Sequence, residues 1–489
     1  MSAGAGAREL VAALRRAGLL ETAPDDLPEP SGLTDDSRAV RAGSWFIAMR
    51  GSQADGHRYA PQAAGKGAAA LVVERIVHGV DLPQVLVRDG RGAALALARA
   101  WYGEPTAALT LVGITGTNGK TTTTALLRHL LNAANSAGSI GTLGAFDGAG
   151  NLVPSTAGNL TTPGAVDLQA TFAVLRDRGV TAVAMETSSH SLDQGRLDGI
   201  AFAAAVFTNV TRDHLDYHGT MDAYLAAKLR LASMLAPDGT AVVNADEPAW
   251  STLPAEIRRL TFGRNGSADL RAADLVLDAA GSTFRLEGRA GSAEVALPLL
   301  GDFNVDNALG AAAAALALGV PLGQIAERLT GAPQVPGRME RLVAAPAVVL
   351  RDYAHTPDAL ERALQALRPL TRGRLIVVFG CGGDRDKGKR PMMGRIAADL
   401  ADLAVATSDN PRTENPEAIL DDVEAGMGAV PHRREVDRRR AIALALEEAG
   451  EGDTVLLAGK GHETYQVIGT VKQPFDEREI VADLLRGSR

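Results

Sequence analysis

Short apolar runs, each followed by a polar or glycine-rich segment, recur along this chain. In its central part the runs are Leu109–Ile114, Ala182–Met185 and Ala204–Phe207, and a helical stretch is predicted over Thr123–Leu131. Apolar strands that alternate with helices indicate a parallel sheet. Ligands of open α/β sheets bind at the carboxyl ends of the strands, which is where the polar segments lie.

A second set of strand-like runs follows a break that contains prolines and glycine. The break, near Pro333–Arg338, predicts a linker or hinge. The runs after it are Val348–Leu350, Leu375–Phe379, Leu403–Thr407 and Thr454–Leu457. Upstream, Ser44–Met49 and Ala69–Glu74 predict two short strands of a small α/β unit, and Ala308–Leu318 predicts an apolar helix packed on a sheet.

Length, charge and cysteine content narrow the class of protein. The 489 residues exceed one compact core at the usual ~150 residues per domain, so we expect several domains. A formal net charge of -8 argues against a general nucleic-acid binder. No run approaches the ~20 apolar residues that span a bilayer, and we expect a cytoplasmic protein. Because Cys381 is the single cysteine, an internal disulfide and a cysteine-based zinc site are excluded.

The segment Gly113-Ile-Thr-Gly-Thr-Asn-Gly-Lys-Thr-Thr has the sequence context of a phosphate-binding loop. It lies between a predicted strand and a predicted helix, where backbone N–H groups and the helix dipole favour a phosphate. Lys120 would meet the terminal phosphates and Thr121 would ligate Mg²⁺. The common spacing of this motif requires glycine where the chain has Ile114. A structural turn is the alternative, and the motif by itself permits a kinase, an ATPase or a ligase.

Five motifs in order resemble the Mur ligase family. They are Thr115–Thr122, Glu186–His190, Thr208–Gly219, Gly301–Asn307 and Asp352–Asp358, and the resemblance extends from about Leu33 to Tyr465. It implies an α/β fold of three domains. These are a small N-terminal α/β UDP-binding domain over 1–106, a central P-loop ATPase domain with a mainly parallel sheet over 107–336, and a C-terminal Rossmann-like amino-acid-binding domain over 337–489.

The resemblance also implies the reaction and its cofactors, ATP and Mg²⁺. ATP phosphorylates a substrate carboxylate, and the amine of an amino acid then attacks the acyl-phosphate. The implied catalytic and metal-site residues are Lys120, Thr121, Glu186, His214 and Lys228, the last as a carbamylated lysine. The implied ATP contacts are Gly116, Thr117, Asn118, Gly119, Lys120, Thr121, Thr122, Asn304, Arg338, Asp352 and His355. For Asn304, inter-domain packing is the alternative.

Two further groups of residues resemble the family branch that acts on UDP-N-acetylmuramoyl-L-alanyl-D-glutamate and adds meso-diaminopimelate. The implied contacts to the UDP substrate are Ser37, Ser52, Gln53, Ala54, Thr161, Thr162, Ser188, Gln194 and Arg196, whose serines and threonines also suit turns and caps. The implied contacts to diaminopimelate are Arg385, Asp409, Asn410, Pro411, Arg412, Gly459 and Glu463. Lysine-adding relatives carry a different residue where Arg412 stands, and a guanidinium suits the distal carboxylate that lysine lacks.

Three other functions stay open at this point. One is the lysine-adding ligase, and another is a folylpolyglutamate synthase, which lacks the UDP-type first domain. The third is a silent P-loop scaffold, which the joint presence of Lys120, Glu186, His214 and Lys228 argues against. We expect small-molecule substrates as the only partners, with no nucleic acid and no membrane, and a monomer.

Overall fold

The computed structural model describes residues 4–51, 54–133, 136–154, 160–289 and 291–487 of the chain. Its residues form two compact units. The first comprises Met1–Leu270 together with Leu309–Pro321, and the second comprises Arg271–Ala308 together with Leu322–Arg489. Both units contain mainly parallel sheets with helices between the strands, so the predicted α/β class is confirmed.

The first unit begins with a five-stranded sheet in the order β1-β5-β4-β3-β2, in which only β1 runs antiparallel to its neighbour. The strands are β1 (Leu20–Thr22), β2 (Gly32–Thr34), β3 (Ser44–Ala48), β4 (Ala70–Val73) and β5 (Gln84–Val87). The helices are α1 (Ala7–Arg16), α2 (Ala60–Gly65) and α3 (Gly90–Trp101). The predicted strands at 44–49 and 69–74 are therefore present, each slightly shorter than predicted.

Burial on both faces explains why these strands are almost wholly apolar. Successive side chains of a strand point to opposite faces. Trp45 and Ile47 accordingly pack in one cluster with Leu10 and residues of α3, whereas Phe46 and Ala48 pack in another with residues of α2. A sheet covered on both faces does not show the alternation of polar and apolar residues that marks a half-exposed strand.

The central sheet of the first unit has the strand order β13-β12-β11-β6-β10-β7-β8-β9. The strands are β6 (Thr110–Thr115), β7 (Ala137–Gly141), β8 (Gly144–Phe146), β9 (Leu152–Val153), β10 (Ala182–Glu186), β11 (Phe202–Phe207), β12 (Leu235–Asn244) and β13 (Arg259–Gly263). The helices are α4 (Lys120–Leu131), α5 (Ala165–Asp177), α6 (Ser189–Asp193), α7 (Leu215–His218) and α8 (Met221–Leu229). Only the pairs β7–β8 and β8–β9 are antiparallel.

The register of this sheet brings the ends of three strands together. Glu186 at the end of β10 pairs with Ile114 of β6, and Phe207 at the end of β11 pairs with Thr115. The polar segments that follow β6, β10 and β11 therefore start at one edge. Helix α4 begins at Lys120, three residues before the predicted start, because Gly119 ends the loop in a left-handed conformation with φ of 86°.

The second unit contains three hydrogen-bonded strands, β14 (Leu270–Leu277), β15 (Ser282–Gly288) and β16 (Gly291–Leu297), in that order. Helices α9 (Asp302–Ala317) and α10 (Leu322–Thr330) follow, and the division between the units falls within α9. The predicted helix at 308–318 is the second half of α9. Residues 332–339 form neither helix nor strand, which agrees with the predicted break, and a hinge there stays a prediction.

A six-stranded sheet of the order β17-β18-β22-β19-β20-β21 forms the rest of the second unit. The strands are β17 (Glu340–Val343), β18 (Val348–Asp352), β19 (Leu375–Phe379), β20 (Leu403–Ala406), β21 (Arg433–Arg434) and β22 (Thr454–Ala458), and a separate hairpin comprises β23 (Tyr465–Ile468) and β24 (Val471–Pro474). The helices are α11 (Pro357–Leu367), α12 (Lys389–Leu400), α13 (Pro416–Met427), α14 (Arg438–Glu448) and α15 (Glu477–Gly487). Only β17 is antiparallel to its neighbour in the six-stranded sheet. Among the described residues, no helix has the length and apolar character needed to cross a membrane.

Candidate active site

The loop between β6 and α4 depends on two glycines. Gly116 has a φ of 150° and Gly119 a φ of 86°, and a Cβ on Gly116 would lie 1.9 Å from Thr208 Oγ1. The backbone N–H of Thr117 donates to the carbonyl of Asn209 at 2.8 Å, which ties the loop to the segment after β11. A side chain at position 116 would therefore break the packing that shapes the loop.

Two lysines share one carbonyl oxygen of this loop. Lys120 Nζ and Lys228 Nζ each donate to the Gly116 carbonyl at 2.8 Å. Lys228 is only 1% exposed, and its Nζ lies 4.1 Å from the centre of the Tyr224 ring. Burial, together with the charge of Lys120, holds the pKa of Lys228 well below its ordinary value. No Asp or Glu within the described residues forms an ion pair with Lys228, and the charge of Asp213 only partly offsets the lowering of its pKa.

Glu186 at the end of β10 is buried and held by one residue. Thr142 donates to the Glu186 carboxylate from its backbone N–H at 2.8 Å and from its hydroxyl at 3.1 Å. A Cβ on Gly141 would lie 2.3 Å from Glu186 Oε1, so the glycine makes room for the carboxylate. Thr142 and Gly141 were not predicted as site residues, and their signal was only their position at the end of β7.

His214 lies in a cluster of aromatic rings near the lysines. Its backbone has a φ of 53°, and its ring centroid is 4.8 Å from that of His190 and 6.1 Å from that of Tyr224. Desolvation lowers the pKa of His214, and the charges of Lys120 and Lys228 lower it further. The structure thus places His214 within the electrostatic reach of both lysines. Within the described ranges, no group of three or more His, Cys, Asp or Glu side chains could by itself hold a metal ion.

Four of the residues predicted to contact the UDP substrate form a connected set near the end of β10: Thr162, Ser188, Gln194 and Arg196. The Thr162 hydroxyl donates to the Glu186 carbonyl at 2.9 Å, and the backbone N–H of Ser188 donates to Thr162 Oγ1 at 3.2 Å. Arg196 donates to the Thr162 carbonyl at 3.0 Å and to Gln194 Oε1 at 2.9 Å. Ser188 also caps α6, so the interpretation as cap chemistry holds for it as well.

Other predicted UDP contacts are placed less closely. Thr161 joins the same set through Thr142, whose hydroxyl lies 3.2 Å from Thr161 Oγ1. Ser37 donates to Gln62 Oε1 of α2 at 3.1 Å, and Ala54 is exposed. Ser52 and Gln53 lie outside the described residues.

In the second unit, three predicted nucleotide contacts surround Tyr353. The Arg338 guanidinium lies 4.8 Å from the centre of its ring, and His355 Nδ1 lies 2.7 Å from its carbonyl oxygen. Asp352 accepts from the backbone N–H of Met339 at 2.7 Å, and burial raises the pKa of Asp352.

Asn304, by contrast, is bonded around its own helix. It is buried at the start of α9, its Nδ2 donates to the Leu300 carbonyl at 2.8 Å, and its Oδ1 accepts from Asn307 at 3.1 Å. These hydrogen bonds are local to the start of α9, and the predicted ATP contact of Asn304 stays a prediction.

Arg412 ends a loop that follows β20 and lies against the hairpin. Its φ is 52°, its backbone N–H donates to the Val467 carbonyl at 3.0 Å, and its carbonyl accepts from Gly469 at 2.7 Å. Its Nη1 donates to the Gly383 carbonyl at 2.8 Å. No Asp or Glu within the described residues pairs with this guanidinium. A cation in a shaped loop without an acidic partner fits an anionic ligand.

Other residues predicted to contact the amino-acid substrate lie on both sides of this loop. A Cβ on Gly382 would lie 2.9 Å from Arg412 Nη1 and 3.9 Å from Arg385 Cγ, so the two arginines flank Gly382. Arg385 is exposed and donates to the carbonyl of Asp384 at 3.1 Å. Gly459 has a φ of 115°, and a Cβ there would lie 3.4 Å from Asp409 Oδ2.

Lys460 is a residue of this region that the sequence analysis missed. It is completely buried, and its Nζ lies 2.9 Å from Asn410 Oδ1, 3.1 Å from Asp409 Oδ1 and 3.3 Å from Glu463 Oε2. Burial by itself would raise the pKa of Asp409, but the adjacent charge of Lys460 holds that pKa below its ordinary value. The available signal was a lysine between two glycines directly after a buried strand.

Models of one protein family match most of the chain. The Mur ligase family, catalytic domain, matches residues 29–96, the Mur ligase middle domain matches 114–315, and the Mur ligase, glutamate ligase domain, matches 337–461. The chain belongs to the Mur ligase family. A relative from Gloeobacter violaceus, named UDP-N-acetylmuramoyl-L-alanyl-D-glutamate–2,6-diaminopimelate ligase, is 47% identical over 470 residues, which are 94% of each chain.

Solved structures of Mur ligases agree with the fold. A UDP-N-acetylmuramoyl-L-alanyl-D-glutamate–2,6-diaminopimelate ligase is 35% identical, with a TM-score of 0.67 over 99% of both chains. The MurF ligase from Thermotoga maritima in complex with ADP is 21% identical, with a TM-score of 0.66 over 93% of this chain and 97% of that one, and shares the fold. The predicted three-domain α/β fold and the ATP-dependent ligase class are thereby confirmed. The domain boundaries at 106 and 336 and the roles of single residues stay predictions.

Proposed function

We propose that this Mur ligase joins meso-2,6-diaminopimelate to UDP-N-acetylmuramoyl-L-alanyl-D-glutamate in peptidoglycan precursor biosynthesis. The relative from Gloeobacter violaceus that bears this name covers nearly the whole chain. The single observation that carries the proposal is Arg412, whose guanidinium has no acidic partner within the described chain and lies in a loop with a fixed conformation. Diaminopimelate has a distal carboxylate that such a group can bind, and lysine has none.

The first chemical step makes the carboxylate reactive. An oxygen of the substrate carboxylate attacks the γ-phosphorus of ATP, the bond to the β-phosphate oxygen breaks, and ADP leaves. Backbone N–H groups of the loop and Lys120 bind phosphate oxygens and offset the negative charge that grows in this transition state. In the second step the amine of the amino acid attacks the acyl carbon, loses a proton, and expels inorganic phosphate.

A magnesium ion fits the residues at the start of α4 and at the end of β10. Mg²⁺ is commonly held by one or two protein oxygens together with phosphate oxygens and water, and it does not need a closed protein cage. Thr121 follows the loop and Glu186 has a buried carboxylate, so both supply suitable oxygens. We propose that these two residues, with His214 and Lys228, hold Mg²⁺, which would neutralise phosphate charge when bound.

Carbamylation of Lys228 is part of the same proposal. The lone pair of the neutral Nζ forms a bond to the carbon of CO₂, a proton is released, and a carbamate anion results. The depressed pKa of Lys228 favours the neutral amine that this step needs. The product would place a negative charge beside Lys120, where the unmodified chain has two lysine nitrogens on one oxygen.

The substrates bind at different residues under this proposal. The set around Thr162, Ser188 and Arg196 binds the UDP substrate, and Arg196 suits its negative charge. Arg412 and Arg385 bind carboxylates of diaminopimelate, and Glu463 accepts from its distal ammonium. A substrate without the distal carboxylate would leave Arg412 unpaired, which can favour diaminopimelate over lysine by roughly 10⁴-fold. We further propose a cytoplasmic monomer that acts on small molecules and binds neither nucleic acid nor membranes.

Product analysis tests this function. The protein is incubated with ATP, Mg²⁺, the UDP-dipeptide and equal amounts of meso-diaminopimelate and L-lysine, and the products are identified by mass spectrometry. The expected product carries diaminopimelate almost exclusively. A product that carries lysine in comparable amount would contradict the proposed specificity.

A further inference from the structure

The ammonium group of Lys460 is surrounded by side chains of the amino-acid loop. Lys460 follows β22 with no exposed surface, so it cannot itself touch a substrate in solution. Its Nζ meets oxygens of Asp409, Asn410 and Glu463 within 2.9 to 3.3 Å. One buried cation therefore connects the loop after β20 to the loop after β22.

This arrangement fixes the orientation of the Glu463 carboxylate. Glu463 Oε2 accepts from Asn410 Nδ2 at 2.9 Å and from Lys460 at 3.3 Å. Its other oxygen, Oε1, accepts no hydrogen bond from any described residue. A carboxylate held at one oxygen presents the other in a defined direction, which suits an incoming ammonium group.

The orientation of the Asn410 amide is fixed by the same contacts. Its Oδ1 accepts from Lys460 Nζ and from the backbone N–H of Val467 in the hairpin, both at 2.9 Å. Because two donors face this atom, the Nδ2 group must face Glu463. The hairpin also bonds the backbone of Arg412, so one network reaches both charged ends of the pocket.

We infer that Lys460 is a positioning residue for the amino-acid substrate, which fixes Asn410 and Glu463 so that the pocket selects the amino acid by its distal ammonium and carboxylate. The inference rests on the proposed function, because that function names the amino acid. The nearby Asp409 and Glu463 would repel one another without the cation, and the Glu463 side chain would be released into other rotamers.

The experiment compares Lys460→Met with the unsubstituted chain. Methionine keeps the apolar stem and removes the charge. We expect the KM for diaminopimelate to rise roughly 10- to 100-fold, the loss that corresponds to one charge-assisted hydrogen bond. The KM for ATP and the KM for the UDP-dipeptide should change less than threefold. Arg372→Met, at an exposed arginine between α11 and β19, is the control and should leave all three constants unchanged.

A double-mutant cycle with Glu463→Gln separates positioning from a general structural role. If Lys460 acts through Glu463, Lys460→Met adds little to the rise in KM already caused by Glu463→Gln. Additive effects, or an equal rise in the KM of all three substrates, would overturn the inference. Lys460→Gln, which removes the charge and keeps an NH₂ donor group, replaces Lys460→Met in the same cycle if that variant does not fold.

The unsubstituted chain is first assayed with diaminopimelate and with L-lysine. Failure to use diaminopimelate contradicts the proposed substrate, and the cycle is then run with the amino acid that supports turnover. An unchanged KM for that amino acid in Lys460→Met contradicts the role of Lys460 alone.

Discussion

Replacing Lys228 by methionine should abolish most turnover and yet stabilise the fold in buffer free of CO₂. Lys228 Nζ and Lys120 Nζ each lie 2.8 Å from the Gly116 carbonyl, so the two nitrogens are at most twice that distance apart. Two unit charges at that separation repel by about 3 kcal/mol at an effective dielectric constant of about 20. Methionine keeps the buried stem and removes this repulsion together with the desolvation of one ammonium.

The free energy of unfolding should therefore rise by about 1–3 kcal/mol in the variant. The sign follows from the pKa of Lys228, which folding lowers from 10.5. The unfolded chain binds the proton of Lys228 more tightly than the folded chain does. The destabilisation of the fold by Lys228 is therefore complete below its folded pKa and is lost as the pH rises towards 10.5. The advantage of the variant should shrink over that pH range.

Activity should change in the opposite direction. If carbamylated Lys228 helps to hold the metal, kcat in Lys228→Met should fall by roughly 10²- to 10³-fold, a loss typical of one electrostatic group in a transition state. The assays are phosphate release and thermal unfolding, each with and without added bicarbonate. Bicarbonate should raise the Tm of the unsubstituted chain and not that of the variant, and acetate or propionate should partly restore Lys228→Ala. A variant with full kcat, or an equal bicarbonate response in both chains, would refute the reasoning.

Three other substitutions test separate parts of the account. Arg412→Ala should lower kcat/KM for diaminopimelate roughly 30- to 5,000-fold in steady-state assays, which corresponds to a loss of about 2–5 kcal/mol of transition-state binding. The KM for ATP should be unchanged. Gly116→Ala should prevent ATP binding measured by calorimetry, because its Cβ would lie 1.9 Å from Thr208 Oγ1. Asp35→Asn should raise the free energy of unfolding at pH 7 by about 1–3 kcal/mol in denaturant titrations, since burial raises the pKa of Asp35 to about 6.

Each of these substitutions has a matched control. Arg412→Lys keeps the charge without the bidentate geometry, so its kcat/KM for diaminopimelate should lie between those of the unsubstituted chain and Arg412→Ala. A kcat/KM equal to that of Arg412→Ala would leave no role for the charge. Gly179 also has a positive φ, but it has open space around it. Gly179→Ala should therefore lower the stability without preventing ATP binding.

For Asp35, stability should fall as the pH rises from 3.8 towards 6, because the folded chain binds the proton more tightly there. Asp35→Asn should remove that slope. Asp36→Asn is the control, because the hydrogen bond with Arg38 lowers the pKa of Asp36. The contribution of Asp36 to stability should rise with pH, the reverse of that of Asp35. The same change in slope in Asp35→Asn and Asp36→Asn would contradict the assignment.

The sequence predicted the strands well because apolar runs in a doubly covered parallel sheet have few alternative explanations. Strand β19 (Leu375–Phe379) has the predicted bounds. Strand β3 ends one residue before its predicted end, and β4 is one residue shorter than predicted at each end. The start of α4 was wrong by three residues. It depends on the left-handed backbone of Gly119 and not on hydrophobic periodicity, which only begins further along the helix.

The site was predicted less completely, for a physical reason. Glu186 at the end of β10 and Arg412 in the loop after β20 could be placed at a sheet edge from sequence. Lys460 contacts Asn410 and Tyr224 contacts Thr117, both distant in sequence, and the glycines on either side of Lys460 do not indicate its partners. The lowered pKa of Lys228 likewise depends on burial and on Lys120, which the fold brings to the same Gly116 carbonyl.

An acyl-phosphate ligase for meso-diaminopimelate releases phosphate only when that amino acid is present. Phosphate release is measured with ATP, Mg²⁺ and the UDP-dipeptide in three parallel reactions, one with meso-diaminopimelate, one with L-lysine and one without an amino acid. We expect sustained release with meso-diaminopimelate and release near background in the other two reactions. Sustained release with L-lysine and none with meso-diaminopimelate would contradict this expectation.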